Sequence, residues 1–229
     1  MANNNHKQTS FSKAKIKLLV LFMIGIYSNA QSQGTMFIDQ IEGRTITREN
    51  FNEKGDLLNK QIFEAGKILN KNGNYEIKVT TELFDKNKIA TEKYETTYKC
   101  KPDKFSVVVF VFPFANPKSK ETEISSKSVN FKELYNIEKL NNIDLDISFD
   151  SGLMNFFGSK STIKIYDRKK EVNNNSVIIK SKIIIKAYTL GIRIKQLNYT
   201  LTEKLNANGL LSYQKFIEKD GSYFTMDYK

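Results

Sequence analysis

The sequence predicts a mainly β protein, an antiparallel meander forming a β-sandwich or half-barrel, with a short helical segment around 131–157. Three observations predict this fold. Apolar and polar residues alternate with a period of two along several segments, as in VIIKSKIIIKAY at 177–188. Turn-forming clusters such as NEKGD, NKNGN, DKNK, NANG and EKDG separate these segments. Only three prolines interrupt the 229 residues, which favours long hairpins.

The first thirty residues have the pattern of an export signal. Four lysines and no acidic residue precede a ten-residue apolar run at 18–27, LLVLFMIGIY, which is too short to cross a bilayer as a helix. Small residues, Ser28 and Ala30, then precede Gln31, as at a signal-peptidase site. We expect cleavage between Ala30 and Gln31. Residues 31–229 would then form a single β-rich exported domain, periplasmic or secreted, with no transmembrane segment.

The composition of this expected mature chain excludes several chemistries. The only histidine, His6, lies in the signal, so Ser-His-Asp and Cys-His catalysis are excluded, as are histidine-ligated metals. Cys100 is the only cysteine, so no intrachain disulfide forms. We expect Cys100 to be a small buried hydrophobe on an aromatic strand, KYETTYKC. No metal and no cofactor are predicted.

Paired carboxylates leave one catalytic alternative open. Asp144 and Asp146 in NIDLDISFD fall on one face of an expected strand. Two carboxylates at a defined separation are what a glycosidase requires. Acidic residues on the solvated face of a strand are far more common, so the protein is predicted not to be an enzyme. A carboxylate-dependent hydrolase is the third alternative.

The segment FSVVVFVFPF at 105–114 differs from the others because it is apolar on both faces. One face carries four side chains that are candidates for lining a ligand cavity: Val108, Phe110, Phe112 and Phe114. A strand of this kind must be covered on both sides, either by a sandwich core or by a cavity and its ligand. FKELYNIEKL at 131–140 supplies candidate cover, because its apolar residues recur at helical spacing.

The positive charge of the mature chain is concentrated between residues 160 and 195, which hold ten Lys or Arg against Asp167 and Glu171. In the alternation of 177–188, Lys180, Lys182 and Lys186 oppose the isoleucines. These lysines indicate either a solvated strand face or peripheral contact with an anionic surface. Nucleic acid is not an expected partner, because export separates the protein from it.

The N-terminal half of the mature chain resembles the TapB family, exported β-rich proteins of unknown function. The resemblance is carried by EGRTITRENFNEKGDLLNKQIFE, with its turn from Asn52 to Gly55, and by NYEIKVTTELFDKNKIATEKYETTYKCKPDKFSV. It covers roughly 40–112; further on, VNNNSVIIKSK stands where the family has a Gly-Thr-Phe signature. The resemblance implies a β-rich envelope protein and supplies no catalytic residue.

Together these observations predict an exported cell-envelope protein that is a non-enzymatic binding or structural module. Its partner would be an envelope protein or an apolar small molecule. The principal alternative is a lipid or lipoprotein carrier whose half-barrel cavity is lined by the 105–114 strand.

Overall fold

A computed structural model describes residues 41–100, 121–126, 135, 137–138, 141–149, 160–173 and 176–229. All of them belong to the second of two compact units, Met1–Gly34 and Thr35–Lys229. The described chain forms these strands, in order: β1 Thr45–Phe51, β2 Leu57–Lys71, β3 Asn74–Asp85, β4 Ala90–Cys100, β5 Glu121–Ser126, β6 Ile143–Phe149, β7 Lys160–Asn173, β8 Ser176–Thr189, β9 Ile192–Leu205, β10 Leu211–Ile217 and β11 Tyr223–Tyr228.

The strands form one continuous sheet in the order β1-β11-β10-β9-β8-β7-β6-β5-β4-β3-β2. Neighbours pair antiparallel except β4 and β5, which share a short parallel ladder from Thr97↔Glu121 to Lys99↔Glu123. β1 and β2, the strands at the two ends of this order, also pair antiparallel, from Thr45↔Glu64 to Phe51↔Leu57, so the strand order returns on itself. The predicted mainly β, antiparallel meander is confirmed. A single sheet differs from the two facing sheets of the β-sandwich alternative.

The hairpins turn where asparagine and glycine stand in the sequence. Asn52 Oδ1 accepts hydrogen bonds from the backbone N–H groups of Lys54 (3.0 Å) and Asp56 (2.8 Å). Asn206 repeats this arrangement between β9 and β10, at 3.0 Å to the N–H groups of both Asn208 and Leu210. An asparagine side chain that replaces backbone partners in this way fixes a tight turn. The similarity of NFNEKGDLL and KLNANGLL therefore reflects a shared turn geometry.

The alternation of apolar and polar residues predicted from the sequence determines which side chains face the core. Along β8, Ile179, Ile183, Ile185 and Ala187 are buried, while Lys180 and Lys182 are exposed. Alternation of this kind puts every second side chain of each strand on the inner face. The inner face gathers isoleucine, leucine and aromatic side chains from β1 to β4 and β6 to β11 into one hydrophobic core.

The short helix predicted around 131–157 is not confirmed. Residues 143–149 of that range form strand β6, and residues 135, 137 and 138 lie in turns. Two residues of FKELYNIEKL, Tyr135 and Ile137, pack against the core. No helix occurs among the described residues.

Several predicted features lie outside the described residues. They are the signal at 1–30, the two-sided strand at 105–114, with Val108, Phe110, Phe112 and Phe114, and most of the 131–157 cover. Cys100 ends β4 opposite Tyr75, although its side chain is not among those described. Within the described ranges, no helix is long and apolar enough to cross a membrane.

Candidate functional site

A polar network is buried inside the sheet, centred on Glu203 of β9. Glu203 is only 2% exposed, and its Oε1 accepts hydrogen bonds from Gln214 Nε2 (2.9 Å) and Tyr135 Oη (3.4 Å). Tyr228 in turn donates from Oη to Gln214 Oε1 over 2.5 Å. Arg168, 5% exposed, interacts electrostatically with the Glu203 carboxylate. The network spans β7, β9, β10 and β11 and one turn, so it ties distant parts of the chain together.

The pKa directions in this network follow from burial. Burial raises the pKa of the Glu203 carboxyl, while the hydrogen bond from Gln214 and the positive charge of Arg168 act in the opposite direction. Burial likewise raises the pKa values of Tyr135 and Tyr228. Hydrogen bonds and an electrostatic contact from neighbouring side chains hold the Glu203 carboxylate, so the arrangement is that of a structural polar cluster.

A second inward-facing cation, Arg48 of β1, packs against aromatic rings. Its Cζ lies 4.0 Å from the centroid of the Phe224 ring, and its Nε donates to Asn50 Oδ1 at 2.9 Å. Phe224 stacks on Phe216 with a centroid distance of 4.4 Å, and Tyr199 meets both rings edge-on. Burial lowers the pKa of Arg48 to about 10. The guanidinium remains charged at neutral pH, stabilised by the ring faces.

The outer face of the sheet carries a groove of about 240 Å³ across β6, β7 and β8. The strand register places its outward side chains in two rows: Asp146, Thr162 and Lys186 form one, and Asp144, Lys164 and Ile184 the other. Side chains directly opposite each other on neighbouring strands have Cβ atoms about 5 Å apart. The groove therefore presents carboxylates on its β6 side and ammonium groups on its β7 and β8 side.

The structure separates the three lysines that the sequence grouped together. Lys180 forms an ion pair with Glu171 and Lys182 with Asp167, each at 2.8 Å. Lys186 instead lines the groove, on the other side of β7 from the strand that carries Asp144 and Asp146. The two acids of the basic stretch thus neutralise two of its lysines locally. Asp144, Asp146 and Lys186, which are far apart in the sequence, therefore line the same groove.

The buried polar residues were missed by the sequence reasoning, although one had a visible signal. Glu203 occupies an inward position in the alternation of LTEKL, between Leu201 and Leu205. A charge at such a position indicates a buried polar partner. Arg168 had no such signal, because an irregularity between Tyr166 and Lys169 shifts the register of β7 and turns it inward. Asp167, at φ 54°, lies in this irregularity.

Metal binding finds no support in the described ranges, where no group of three or more His, Cys, Asp or Glu side chains converges.

Of the known proteins compared with this chain, only solved structures are similar to it. No protein family model and no curated protein match the chain. One similar solved structure, from Bacteroides fragilis NCTC 9343, bears the name "putative exported protein with YmcC-like fold". Its sequence is 13% identical to this chain, the match covers 82% of this chain and 94% of that chain, and the TM-score is 0.41. Another, a "putative lipoprotein" from Parabacteroides distasonis ATCC 8503, is 14% identical, with 85% and 97% covered and a TM-score of 0.42. Likenesses of this size carry no function to this chain, and the TapB resemblance stays a prediction.

Proposed function

We propose that this protein is an exported, non-enzymatic binding module that holds a polar segment of an envelope partner in the groove on the outer face of β6–β8. The observation that carries the proposal is the arrangement of charges in that groove: Asp144 lies opposite Lys164 on the adjacent strand, and Asp146 and Lys186 lie in one row on either side of Thr162. Charges of both signs in fixed register favour a ligand that carries both, such as an extended peptide segment.

Volume and polarity argue against an apolar ligand at this place. The groove measures about 240 Å³, below the roughly 300–1,000 Å³ typical of small-molecule sites. Four of its six outward side chains are charged: Asp144, Asp146, Lys164 and Lys186. A fatty acyl chain would leave those groups desolvated and unpaired, which is unfavourable. A polar peptide segment would replace their water contacts with hydrogen bonds.

The described interior gives the carrier alternative no support. Apolar side chains and the Glu203 network occupy the inner face of β1–β4 and β6–β11. The strand proposed to line a lipid cavity, with Phe110 and Phe112, lies outside the described residues, so that alternative rests on the sequence pattern alone. The hydrolase alternative rests on Asp144 and Asp146, which now have a different proposed role, in the charge-paired groove.

Photo-crosslinking in the source cells tests the proposal. A photoreactive amino acid at Thr162, in the middle of the groove, should give one discrete adduct with a partner. The matched position is Thr200, which is exposed on the outer face of β9 away from the groove. Reversing one charge with Lys186→Asp should remove the adduct, whereas Lys219→Asp, in an exposed turn, should not. Equal adducts from Thr162 and Thr200, or an adduct unaffected by Lys186→Asp, would contradict it.

A further inference from the structure

The hairpin between β8 and β9 carries three exposed large apolar side chains, among them the most exposed one in the part of the chain that the structure describes. Leu190 is 92% exposed, Ile192 70% and Ile194 50%. All three lie within five residues at one hairpin tip. Single exposed apolar residues are ordinary on protein surfaces, but a cluster of this kind indicates contact with another apolar phase.

The hairpin extends past its two neighbouring strands by different lengths. The described pairing of β10 with β9 runs from Leu205 only as far as Thr200, so residues 192–199 continue beyond it over about 26 Å at about 3.3 Å per residue. On the other side, β7 pairs with β8 as far as Lys160↔Tyr188, so only the turn and the residues next to it extend past the described pairing of both neighbours. The tip itself therefore lies at one end of the sheet.

The backbone geometry of the turn indicates that Leu190 does not stabilise the hairpin. Leu190 and Gly191 have φ values of 52° and 79°, and the β2–β3 turn repeats this geometry with Asn72 and Gly73 at 52° and 77°. Two-residue hairpins with both φ values positive favour Asn-Gly, because asparagine tolerates the left-handed region far better than a bulky side chain. Leu190 thus occupies the position that Asn72 fills in the other hairpin, and its exposed side chain gains no packing in return.

The charges around the hairpin tip indicate which kind of apolar surface it would contact. The segment 186–196, KAYTLGIRIKQ, contains Lys186, Arg193 and Lys195 and no acidic residue. Arg193 donates to Gln196 Oε1 at 3.0 Å, so its position is fixed beside the apolar residues. Apolar side chains bordered by cations are complementary to a bilayer with anionic headgroups, where each cation contributes electrostatic attraction and the apolar groups insert.

We infer that the β8–β9 hairpin tip, comprising Leu190, Ile192, Ile194, Arg193 and Lys195, inserts into the surface of an anionic phospholipid bilayer. The inference goes beyond the proposed binding groove, which lies on the outer face of β6–β8 and uses different residues apart from the flanking Lys186. Insertion at the tip would leave the groove on the side of the sheet open to a partner.

Vesicle binding of the full mature protein tests the inference. We expect co-sedimentation with vesicles of phosphatidylglycerol and phosphatidylcholine, and none with phosphatidylcholine alone. Leu190→Asn, Ile192→Ser and Ile194→Ser combined should weaken binding at least tenfold while the turn is kept. Arg193→Gln with Lys195→Gln should weaken it roughly 25-fold, at roughly fivefold per cation, and reduce its salt dependence. The matched control is Leu69→Ser with Val172→Ser, which removes exposed apolar side chains elsewhere and should change nothing.

Tryptophan fluorescence supplies an independent readout, because the sequence contains no tryptophan. Leu190→Trp should shift its emission to the blue when anionic vesicles are added, and Val172→Trp should not. Absence of binding to anionic vesicles, or equal losses in the tip and control variants, would overturn the inference. A tip that instead joins two copies of the chain would also overturn it, shown by a dimer of the unmutated protein that the tip variants dissociate without any vesicle binding.

Discussion

Gln214 and Glu203 lie directly opposite each other on β10 and β9, and the amide Nε2 of Gln214 donates to the Glu203 carboxylate at 2.9 Å. The pair shows how this sheet accommodates a charge in its core. A buried carboxylate without partners would be strongly destabilising, so the amide and the guanidinium of Arg168 act together to hold it.

Glu203→Gln should change the pH dependence of stability. The pKa of Glu203 is raised by burial, so the folded protein binds this proton more tightly than the unfolded chain does. The resulting stability is present below the ordinary carboxyl pKa of about 4.5 and is lost as pH rises through the raised value. The free energy of unfolding of the variant minus that of the unmutated protein should therefore increase as pH rises above 4.5. Urea titrations at several pH values measure it, and a decrease would mean that Arg168 dominates over burial.

Tyr228→Phe should destabilise the protein by about 1–3 kcal/mol, because Gln214 Oε1 would be left buried without that donor. Chemical denaturation gives the difference directly. Tyr213→Phe on β10 serves as the control, since Tyr213 is only partly buried and should lose little when its hydroxyl is removed. Equal effects in the two variants would show that the hydroxyl of Tyr228 contributes nothing specific.

Leu190→Asn should stabilise the protein by about 0.5–1 kcal/mol, because asparagine accepts the positive φ of 52° that leucine adopts at a cost. Thermal denaturation in the absence of lipid measures the change. Ile192→Asn, outside the turn, should give no such gain. A loss of stability in Leu190→Asn would mean that the leucine side chain packs against the protein.

Phe112→Ala separates a closed core from a lipid cavity. The sequence favours a closed core, in which the substitution costs about 3–5 kcal/mol and a fluorescent fatty acid is not taken up before or after it. Phe216→Ala provides the scale, since Phe216 is 2% exposed in the described core and should cost the same amount. Uptake of the fatty acid by the unmutated protein, lost in Phe112→Ala with little change in stability, would support the carrier instead.

Cleavage of the signal should leave Gln31 as the first residue, because Ser28 and Ala30 satisfy the small-residue requirement before it. The intact mass of the exported protein checks this. A mass that includes residues 1–30 would disprove the assignment.

The alternation of apolar and polar residues was enough to predict the strands, but not the positions where the register between strands shifts. The period-two pattern of 177–188 correctly separates Ile183 from Lys182, because one face of a single sheet is buried throughout. The turns at Asn52 and Asn72 were equally visible, since asparagine and glycine have a specific conformational role there. The helix predicted from the spacing around Tyr135 stays unconfirmed, because short apolar spacings fit a turn over a core as well as a helix.

The candidate site was predictable only in parts. Asp144, Asp146 and Lys186 were each recognised, but their meeting in one groove depends on the register between β6, β7 and β8. That register is set by long-range pairing, which a single sequence does not display. The same holds for Arg168, whose inward direction depends on an irregularity in β7 opposite β8.

The pairing of β1 with β11 has a consequence for how the protein reaches its folded state. Ile46 lies opposite Tyr228, so the first described strand acquires one of its two neighbours from the far end of the chain. As the polypeptide emerges during its synthesis, β1 to β4 can form hairpins early, but one edge of β1 stays open until β11 arrives. Contacts of such sequence separation slow folding, and an open edge invites pairing with other chains. We therefore expect the emerging chain to depend on an escort that shields this edge, and removal of β11 to yield aggregates rather than a smaller folded domain.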